Sequence, residues 1–541
     1  MEISAIVISI KRLSPATELR QIGESVLAAR QRELRPVPDV KQFQTVGSTR
    51  MGHTRTYSAI GPALLERLLG LVVAVGAMAG AAPAIAGDLT IKPSLELRQI
   101  YSDNVDLDPD GLDQSAFITE FVPGFTLRSE SARATAALNF FPIVRYQTAG
   151  EDEGFTLAGD LAGRGTVEVE EDLFFVDAQA SISQQVLNNK SSGSTADEDT
   201  IGVFRVSPYL RNRFGGFAEG EARYALSQVW IGGQNDLGPF AVSDSTNHSV
   251  KLSLDSGTDF SRLKWEVIGR ASYEDRSDDD DVERWETGLL TEYAINRSIS
   301  VLAGAGYQFF DDGNPANDVD DPAWQIGFHW RPGPRTDLRV TYGQFDGDES
   351  ANMKFSYKIS SRTSITASYS EVLENSQERL VRNVSFIDLD PESDQFIDPQ
   401  TGLPFDPNQS PFDIGNETTR TETFRVGLNG SRGRNDFGLN AAIQNEEIES
   451  TGSQEDNTTL GARFSRRLNP HLTANIFAGY ERSEFDDGRV DDEYTALAGV
   501  SYQIYANLRA GLRYEFTTQD STSPASEFTE NRVTATLRMT F

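Results

Sequence analysis

A two-residue alternation of apolar and polar side chains is the feature that most constrains what this chain can fold into. The stretch RLKWEVIGRASY places Leu263, Trp265 and Val267 on one face, while Glu266 lies on the other. Side chains alternate across a strand, whereas helical spacing would put Trp265 and Val267 on different sides. Because such runs recur from residue 89 to the end of the chain, the sequence predicts an all-β protein.

The connections between these runs alternate between short turns and longer acidic loops. Residues 214–216 and 296–298 are short turns, whereas 103–113 and 311–321 are longer and rich in aspartate. We count ten short and eleven longer connections, which makes about 22 strands, with a range of 18–24. An even number of strands returns both ends of the chain to the same side.

Strand length and aromatic strand ends separate a membrane barrel from soluble β architectures. Stacked sandwiches, the first soluble alternative, use strands of about five or six residues; a solenoid of repeats is the second. Here the runs take about ten residues and end in aromatics such as Tyr101, Trp230, Trp285 and Trp324. These marks are typical of transmembrane barrels, which must close because an open edge leaves backbone groups unpaired in lipid. Residues 87–541 are therefore predicted to form a transmembrane antiparallel up-and-down β-barrel.

Composition narrows the classes of partner. The chain has 49 Lys and Arg against 81 Asp and Glu, a net charge of −32, which argues against nucleic acid because phosphate binding needs a basic surface. It contains no cysteine, so disulfides, thiolate metal sites and cysteine nucleophiles are excluded. A barrel of this kind predicts membrane lipid and lipopolysaccharide as its surroundings.

An apolar run near the start of the chain has the length of a signal peptide. Residues 68–82 read LLGLVVAVGAMAGAA and lead to an A-x-A cleavage pattern at 84–86. The run is short for a membrane-spanning helix. We therefore predict a cleaved signal peptide at 51–86, preceded at 1–50 by either an unusual extension or a start codon placed too early.

The last nine residues, VTATLRMTF, keep the alternation to the end of the chain. Chain termini in soluble domains are usually loose and polar, so an apolar strand that finishes on an aromatic favours a lipid-facing closing strand. Such an end also resembles the C-terminal signal by which the outer-membrane assembly machinery recognises its clients. We predict that Leu537, Met539 and Phe541 form this signal.

The first predicted strands carry a family resemblance. Residues 93–107, PSLELRQIYSDNVDL, and 115–140, SAFITEFVPGFTLRSESARATAALNF, combine a proline-led strand, a YSDNV motif and a Pro-Gly pair. They resemble the opening of the β-barrel porin type 2 family, and within it the outer-membrane proteins associated with exosortase/PEP-CTERM exopolysaccharide systems. The resemblance implies a Gram-negative outer-membrane barrel that works beside polysaccharide export components. It brings no catalytic residues with it.

Charged residues at the polar positions of the strands would face the lumen of such a barrel. Lumen-facing charge selects which ions or chains pass, although both signs occur and many would pair across strands. An arginine ladder that guides an anionic polysaccharide is the functional alternative to simple pairing. The candidates for this lining are Arg98, Arg223, Arg270, Arg339, Arg425, Arg513, Glu221 and Glu266.

One predicted loop, residues 374–418, is much longer than the others. It holds five prolines among acidic and amide residues, and proline cannot donate to a strand ladder. The segment is therefore predicted to be a loop rather than two further strands. It either lies outside as a lid or folds inward to narrow the pore, and both positions remain open.

Catalytic and metal-binding patterns are sparse. His248, His329 and His471 lie far apart in the sequence with no serine motif around them, so we predict no enzyme activity and no cofactor. Residues 106–111, DLDPDG, imitate the start of a calcium loop, but Phe117 stands where a bidentate glutamate is needed. The acidic loops are predicted to be solvated surfaces, so no metal site is expected.

Three functions fit a barrel of about 22 strands. The first is an outer-membrane porin or channel, for exopolysaccharide export or for general solute passage. The second, active transport, needs a plug domain ahead of the barrel, whereas strands are predicted from residue 89 onward. The third is a structural or surface-binding barrel without transport. A barrel this wide leaves a lumen unless something fills it, which favours the first.

Overall fold

The computed structural model describes residues 88–188, 198–232, 242–277, 279–385, 388–389, 396–397 and 410–541. The predicted signal peptide and the segment before it lie outside these residues and stay predictions. No helix in the described part of the chain is long and apolar enough to cross a membrane. Its long elements are strands, and its one α-helix among the described residues has nine residues.

The elements follow in chain order. The first half comprises β1 (Asp88–Ser102), β2 (Ala116–Glu130), β3 (Ala134–Gln147), β4 (Gly154–Glu170), β5 (Phe174–Val186), β6 (Glu198–Phe214), β7 (Ala218–Ile231), β8 (Ser245–Ser256), β9 (Leu263–Arg276), β10 (Val282–Ala294), β11 (Ile299–Asp311) and β12 (Val319–Gly333). The second half comprises β13 (Thr336–Phe345), β14 (Asp348–Ser360), β15 (Thr363–Glu374), α1 (Ser376–Val384), β16 (Asp388–Leu389), β17 (Phe396–Ile397), β18 (Thr419–Arg432), β19 (Asn435–Ile448), β20 (Ser453–Asn469), β21 (Leu472–Glu484), β22 (Val490–Tyr505), β23 (Leu508–Ser521) and β24 (Phe528–Thr540).

Twenty-two of these strands form one closed antiparallel barrel. Each strand pairs with the next in the chain, and β15 pairs with β18 across the long loop, whose short β16–β17 hairpin stays separate. The seam is formed by β1 and β24, with Leu97 opposite Leu537. The predicted fold and strand number are confirmed. The seam satisfies the backbone groups that an open sheet would leave unpaired.

The connections differ at the two ends of the barrel, as the alternation predicts. Ten connections of two to six residues lie at the end that holds both chain termini. At the other end they reach 44 residues, between β15 and β18. Short turns on the periplasmic side and longer loops outside are the rule for bacterial barrels.

Several strands run further into the acidic loops than the alternation indicated. β12 starts at Val319, so Asp320, Asp321 and Pro322 belong to the ladder with β11. Beyond the lipid both faces of a strand meet water, so side-chain polarity no longer marks where the ladder stops. One loop-side connection is a two-residue turn, Asp346–Gly347, with φ of 46° and 86°. Two positive φ values are the signature of a type I′ hairpin.

The outward face carries large, exposed aromatic side chains. Trp285 stacks on Tyr307 with ring centroids 5.9 Å apart, and Tyr101 packs against Phe117 at 5.1 Å. Trp285 and Tyr101 keep 40% and 38% of their surface exposed. A soluble monomer rarely leaves so many large apolar side chains uncovered, whereas an aromatic girdle at the lipid boundary requires it.

Unlike the aromatic side chains of the girdle, Trp230 is almost completely buried, with only 7% of its surface exposed. It stands directly opposite Gly202 on the neighbouring strand, and a Cβ on that glycine would lie 2.0 Å from the indole. The absent side chain of Gly202 is therefore what lets the ring lie flat on the wall. Aromatic side chains often cover a cross-strand glycine in this way.

Gly202→Ala should lower the thermal stability of the barrel, because the indole of Trp230 must leave its position. Overpacking of this kind costs about 1–3 kcal/mol. The measurement is the temperature at which the folded, fast-migrating band converts to the unfolded band in semi-native electrophoresis. Gly269→Ala is the matched control, since no atom lies within 4 Å of its Cβ position. Equal transition temperatures for the two variants would contradict the expectation.

Candidate functional site

Helix α1 follows directly after β15 and starts at a complete cap. The side chain of Asn375 accepts from the backbone N–H of Glu378, and the Glu378 carboxylate accepts from the backbone N–H of Asn375. This reciprocal capping box satisfies two N–H groups that a helix start otherwise leaves unpaired. It lets a short helix begin immediately at the end of a strand.

The apolar side of α1 is buried against the barrel wall. Leu380, Val381 and Val384 form one cluster with Val203 of β6 and Val229 of β7, and Val384 and both wall valines are fully buried. Burying a valine or leucine side chain contributes about 1.5–3 kcal/mol. The helix is therefore packed onto the wall and is part of the folded barrel.

The polar side of α1 is fastened to other stretches of wall. Asn375 donates to Glu274 of β9 at 3.0 Å, and Arg379 forms a buried salt bridge with Glu446 of β19. Ten strand pairings separate β7 from β19 around the sheet. Side chains from walls so far apart can meet one helix only on the concave side of a closed sheet. The helix therefore crosses the lumen.

The end of the long loop bonds to the connections at the loop side of the barrel. Ile414 N–H donates to the carbonyl of Leu187 at 2.9 Å, and Thr418 donates to Asp312 at 2.5 Å. Asn416 accepts from the N–H of Ser243 at 2.8 Å. Residues 414–418 are thus bonded to the loop-side connections at the mouth of the barrel, next to the helix.

The strand register places every candidate lining residue on this same concave face. Several of them pair as expected: Arg98 lies 3.0 Å from Glu120, and Arg270 bonds Glu286 across the β9–β10 pair. Others pair along a strand, two residues apart, as Arg513 does with Glu515 at 3.4 Å. The residues on this face are Arg98, Arg223, Arg270, Arg339, Arg425, Arg513, Glu221 and Glu266.

Part of the concave wall is a cleft of about 320 Å³ with a predominance of positive charge. Its cations are Arg205, Arg223, Lys251, Arg270 and Arg284, and Glu286 is its one carboxylate among the described residues. The guanidinium carbon of Arg223 lies 3.7 Å from the ring centroid of Tyr209, a close cation–π contact. The same alternation along the strands predicts that Arg205, Lys251 and Arg284 face the lumen.

A second cleft of about 520 Å³ is lined by charges of both signs near the β1–β24 seam. Its centre is Glu120, which accepts from both Arg98 and Arg145 at 3.0 Å and is only 3% exposed. A carboxylate held between two guanidinium groups is already satisfied. These bonds therefore link β1, β2 and β3 to one another, and the cleft leaves little net charge for a solute.

Arg284 of β10 connects the positive cleft to the helix. Its guanidinium donates to Asp346 at 3.1 Å and to Glu378 of α1 at 3.3 Å. Burial raises the pKa of the Asp346 carboxyl, and the charge of Arg284 partly offsets that rise. One arginine thus touches the cleft, the β13–β14 turn and the helix together.

No group of histidine, aspartate and glutamate that could hold a metal ion occurs among the residues that the structure describes. His329 lies 3.3 Å from Glu292 and 3.1 Å from Asp337. Asp106, in the calcium-like stretch, accepts from the N–H of Glu151 at 3.0 Å. These side chains hold loops and strands to one another.

Comparison with protein families decides the identity of the chain. The model of the Gram-negative porin family matches residues 70–377, which is more than half of the chain. The chain belongs to the Gram-negative porin family. A second model, described as "Putative beta-barrel porin 2", matches residues 435–541 of this porin, in agreement with the resemblance of its first strands. The porin is accordingly a barrel of the Gram-negative outer membrane.

Solved structures with a similar barrel share little sequence with the porin. The siderophore receptor PirA from Acinetobacter baumannii is 8% identical, with a TM-score of 0.45 over 83% of this chain and 80% of that one. The FrpB iron transporter from Neisseria meningitidis is 10% identical, with a TM-score of 0.47 over 83% and 81%. OpdK from Pseudomonas aeruginosa, solved with vanillate, is 11% identical, with a TM-score of 0.29 over 83% and 99%. No curated protein sequence matches the porin.

A single cysteine can report whether α1 of the porin is seated, because the natural chain has none. Val384→Cys should react slowly with a charged maleimide, since Val384 is fully buried. The control, Ser385→Cys, should react fast because Ser385 is exposed. Adding Glu446→Gln removes the carboxylate that holds Arg379, so the helix should leave its seat more often. Labelling of Val384→Cys should then speed up at least tenfold. Equal labelling rates at 384 and 385 in the otherwise unchanged porin would mean that the helix is not seated.

Proposed function

We propose that this porin is a passive channel for hydrophilic solutes, with its lumen narrowed by α1. The observation that carries the proposal is that the helix is anchored to walls ten pairings apart, while the described wall beside it has two clefts lined by charged side chains. A barrel of this width retains a lumen unless it is filled. The helix narrows the passage, and the wall charges act on what moves through it.

The anchors of α1 indicate where the passage is controlled. The Arg379 and Glu446 side chains are 10% and 9% exposed, and removing one partner of a buried ion pair costs about 3–5 kcal/mol. Thr419 and Thr421 also donate to Glu446, each at 3.2 Å. Loss of Arg379 therefore leaves a buried carboxylate with hydroxyl donors only.

Planar-bilayer conductance tests the channel. The porin should give discrete steps, and Arg379→Gln should raise conductance or open time, because about 3 kcal/mol shifts the seating equilibrium of α1 roughly 100-fold. The control is Arg133→Gln, which removes an exposed pair with Glu171 at a short turn. Such pairs contribute about 0–1 kcal/mol, so the control should conduct like the unchanged porin.

Absence of conductance in any salt, for the porin and for Arg379→Gln alike, would overturn the channel. It would favour the alternative, a structural or surface-binding barrel without transport. An equal rise in conductance in both variants would instead remove α1 from the control of the pore.

Passage of an anionic exopolysaccharide is the second candidate, and one row of residues favours it. Arg339 of β13 lies directly opposite His329 of β12 and Lys354 of β14, and Arg425 follows two strands further on. The cations of this row, Arg339, Lys354 and Arg425, offer successive contacts to a polyanionic chain. Polysaccharide export components would then be partners of the porin.

Dextran sulfate added on the side of the short turns should reduce the current through the porin, whereas neutral dextran of equal length should not. The negatively charged sulfate groups should be attracted to Arg339, Lys354 and Arg425, and neutral dextran tests for blockage by size alone. Arg339→Gln combined with Arg425→Gln should weaken the block about tenfold. Equal block by both polymers would remove the case for an anionic polysaccharide.

A further inference from the structure

Three cations lie in register on adjacent strands of the positive cleft. Arg223 of β7 is directly opposite Lys251 of β8, and Lys251 is directly opposite Arg270 of β9. Like charges directly opposite each other on neighbouring strands repel and destabilise a sheet. We therefore expect these three cations to have a role that offsets the repulsion between them.

The carboxylates of the wall offset only part of this charge. Arg223 pairs with Asp177 at 2.7 Å and with Glu221 at 2.9 Å, and Arg270 pairs with Glu286. Among the described residues, neither Lys251 nor Arg205 forms a salt bridge; Arg205 donates to the hydroxyl of Ser227 at 3.2 Å. The surplus positive charge of the cleft is therefore centred on Lys251 and Arg205.

Hydroxyl groups complete the lining beside this row. Ser249 of β8 is opposite Ser272 of β9, and Ser272 is opposite Arg284 of β10. Small hydroxyl side chains leave room between the longer cations and can donate hydrogen bonds. The cleft, about 320 Å³, is at the lower end of the range of about 300–1,000 Å³ for ligand pockets.

We propose that this cleft binds a small oxyanion, the phosphate or carboxylate group of a solute in the lumen. Guanidinium groups bind such oxygens through paired, charge-assisted hydrogen bonds, and an ammonium adds a point charge. The proposal rests on the proposed channel only for how the solute reaches the cleft. In a chain with a net charge of −32, the cleft gives anions a favourable place on the lumenal wall.

Carboxylates of the surrounding wall are the alternative partners of the cations in the cleft. Glu286, Asp177 and Glu221 already neutralise Arg270 and Arg223, so removing either arginine would disturb the fold as well as the site. Lys251 and Arg205 lack this internal partner. Their charge is the part of the cleft that a bound anion would neutralise.

Inorganic phosphate is the probe, and the unfolding temperature of the full chain in detergent is the measurement, because a ligand that binds the folded state raises it. Chloride salts at the same ionic strength remove general screening from the comparison. Phosphate should raise the transition temperature of the porin, and Lys251→Gln should weaken the apparent phosphate affinity about tenfold. Arg205→Gln is the second variant if Lys251→Gln does not fold.

The control variant is Lys264→Gln, which removes the same charge from the concave face of β9, six residues from Arg270 and opposite Glu292. It should bind phosphate within twofold of the unchanged porin. An unchanged transition temperature in phosphate, or an equal loss in the Lys264 and Lys251 variants, would overturn the site. This measurement needs no current, so the two proposals can fail separately. A phosphate effect in a barrel that does not conduct would refute the channel alone. Conductance without a phosphate effect would refute the site alone.

Discussion

Inside a lipid bilayer, every backbone N–H and C=O must find a partner within the protein, because each unpaired group costs several kcal/mol. That constraint explains why β1 and β24 pair along the seam, and why the chain keeps its alternation to the last strand. Closure in turn creates a concave face shielded from lipid. Every charged row, both clefts and the helix depend on the existence of that face.

The helix across the lumen illustrates how a wide barrel restricts its own interior. Its apolar side is held on β6–β7, where burial is complete, and its polar side is held by Glu274 of β9, Arg284 of β10 and Glu446 of β19. The apolar contact supplies stability, whereas buried ion pairs are weak contributors to net stability and strong determinants of position. The ion pairs therefore fix where the helix lies, and the apolar contact keeps it there.

Much of the barrel could be predicted from the sequence because its signal is local. The period of two assigns Arg223, Lys251 and Arg284 to one face without any knowledge of their neighbours. The contacts of α1 had no such signal, since Arg379 and Glu446 lie 67 residues apart within and beyond a proline-rich loop. Trp230 shows the same limit: its burial depends on the glycine opposite it, which the register alone identifies.

The placement of α1 has a consequence for the order of assembly. The helix lies between β15 and β18 in the chain, yet it needs β6 and β7 on one side and β19 on the other before all its partners exist. It cannot reach its final seat until the strands that follow it have been added to the wall. The interior of this protein is therefore complete only when strands on both sides of the helix have joined the wall.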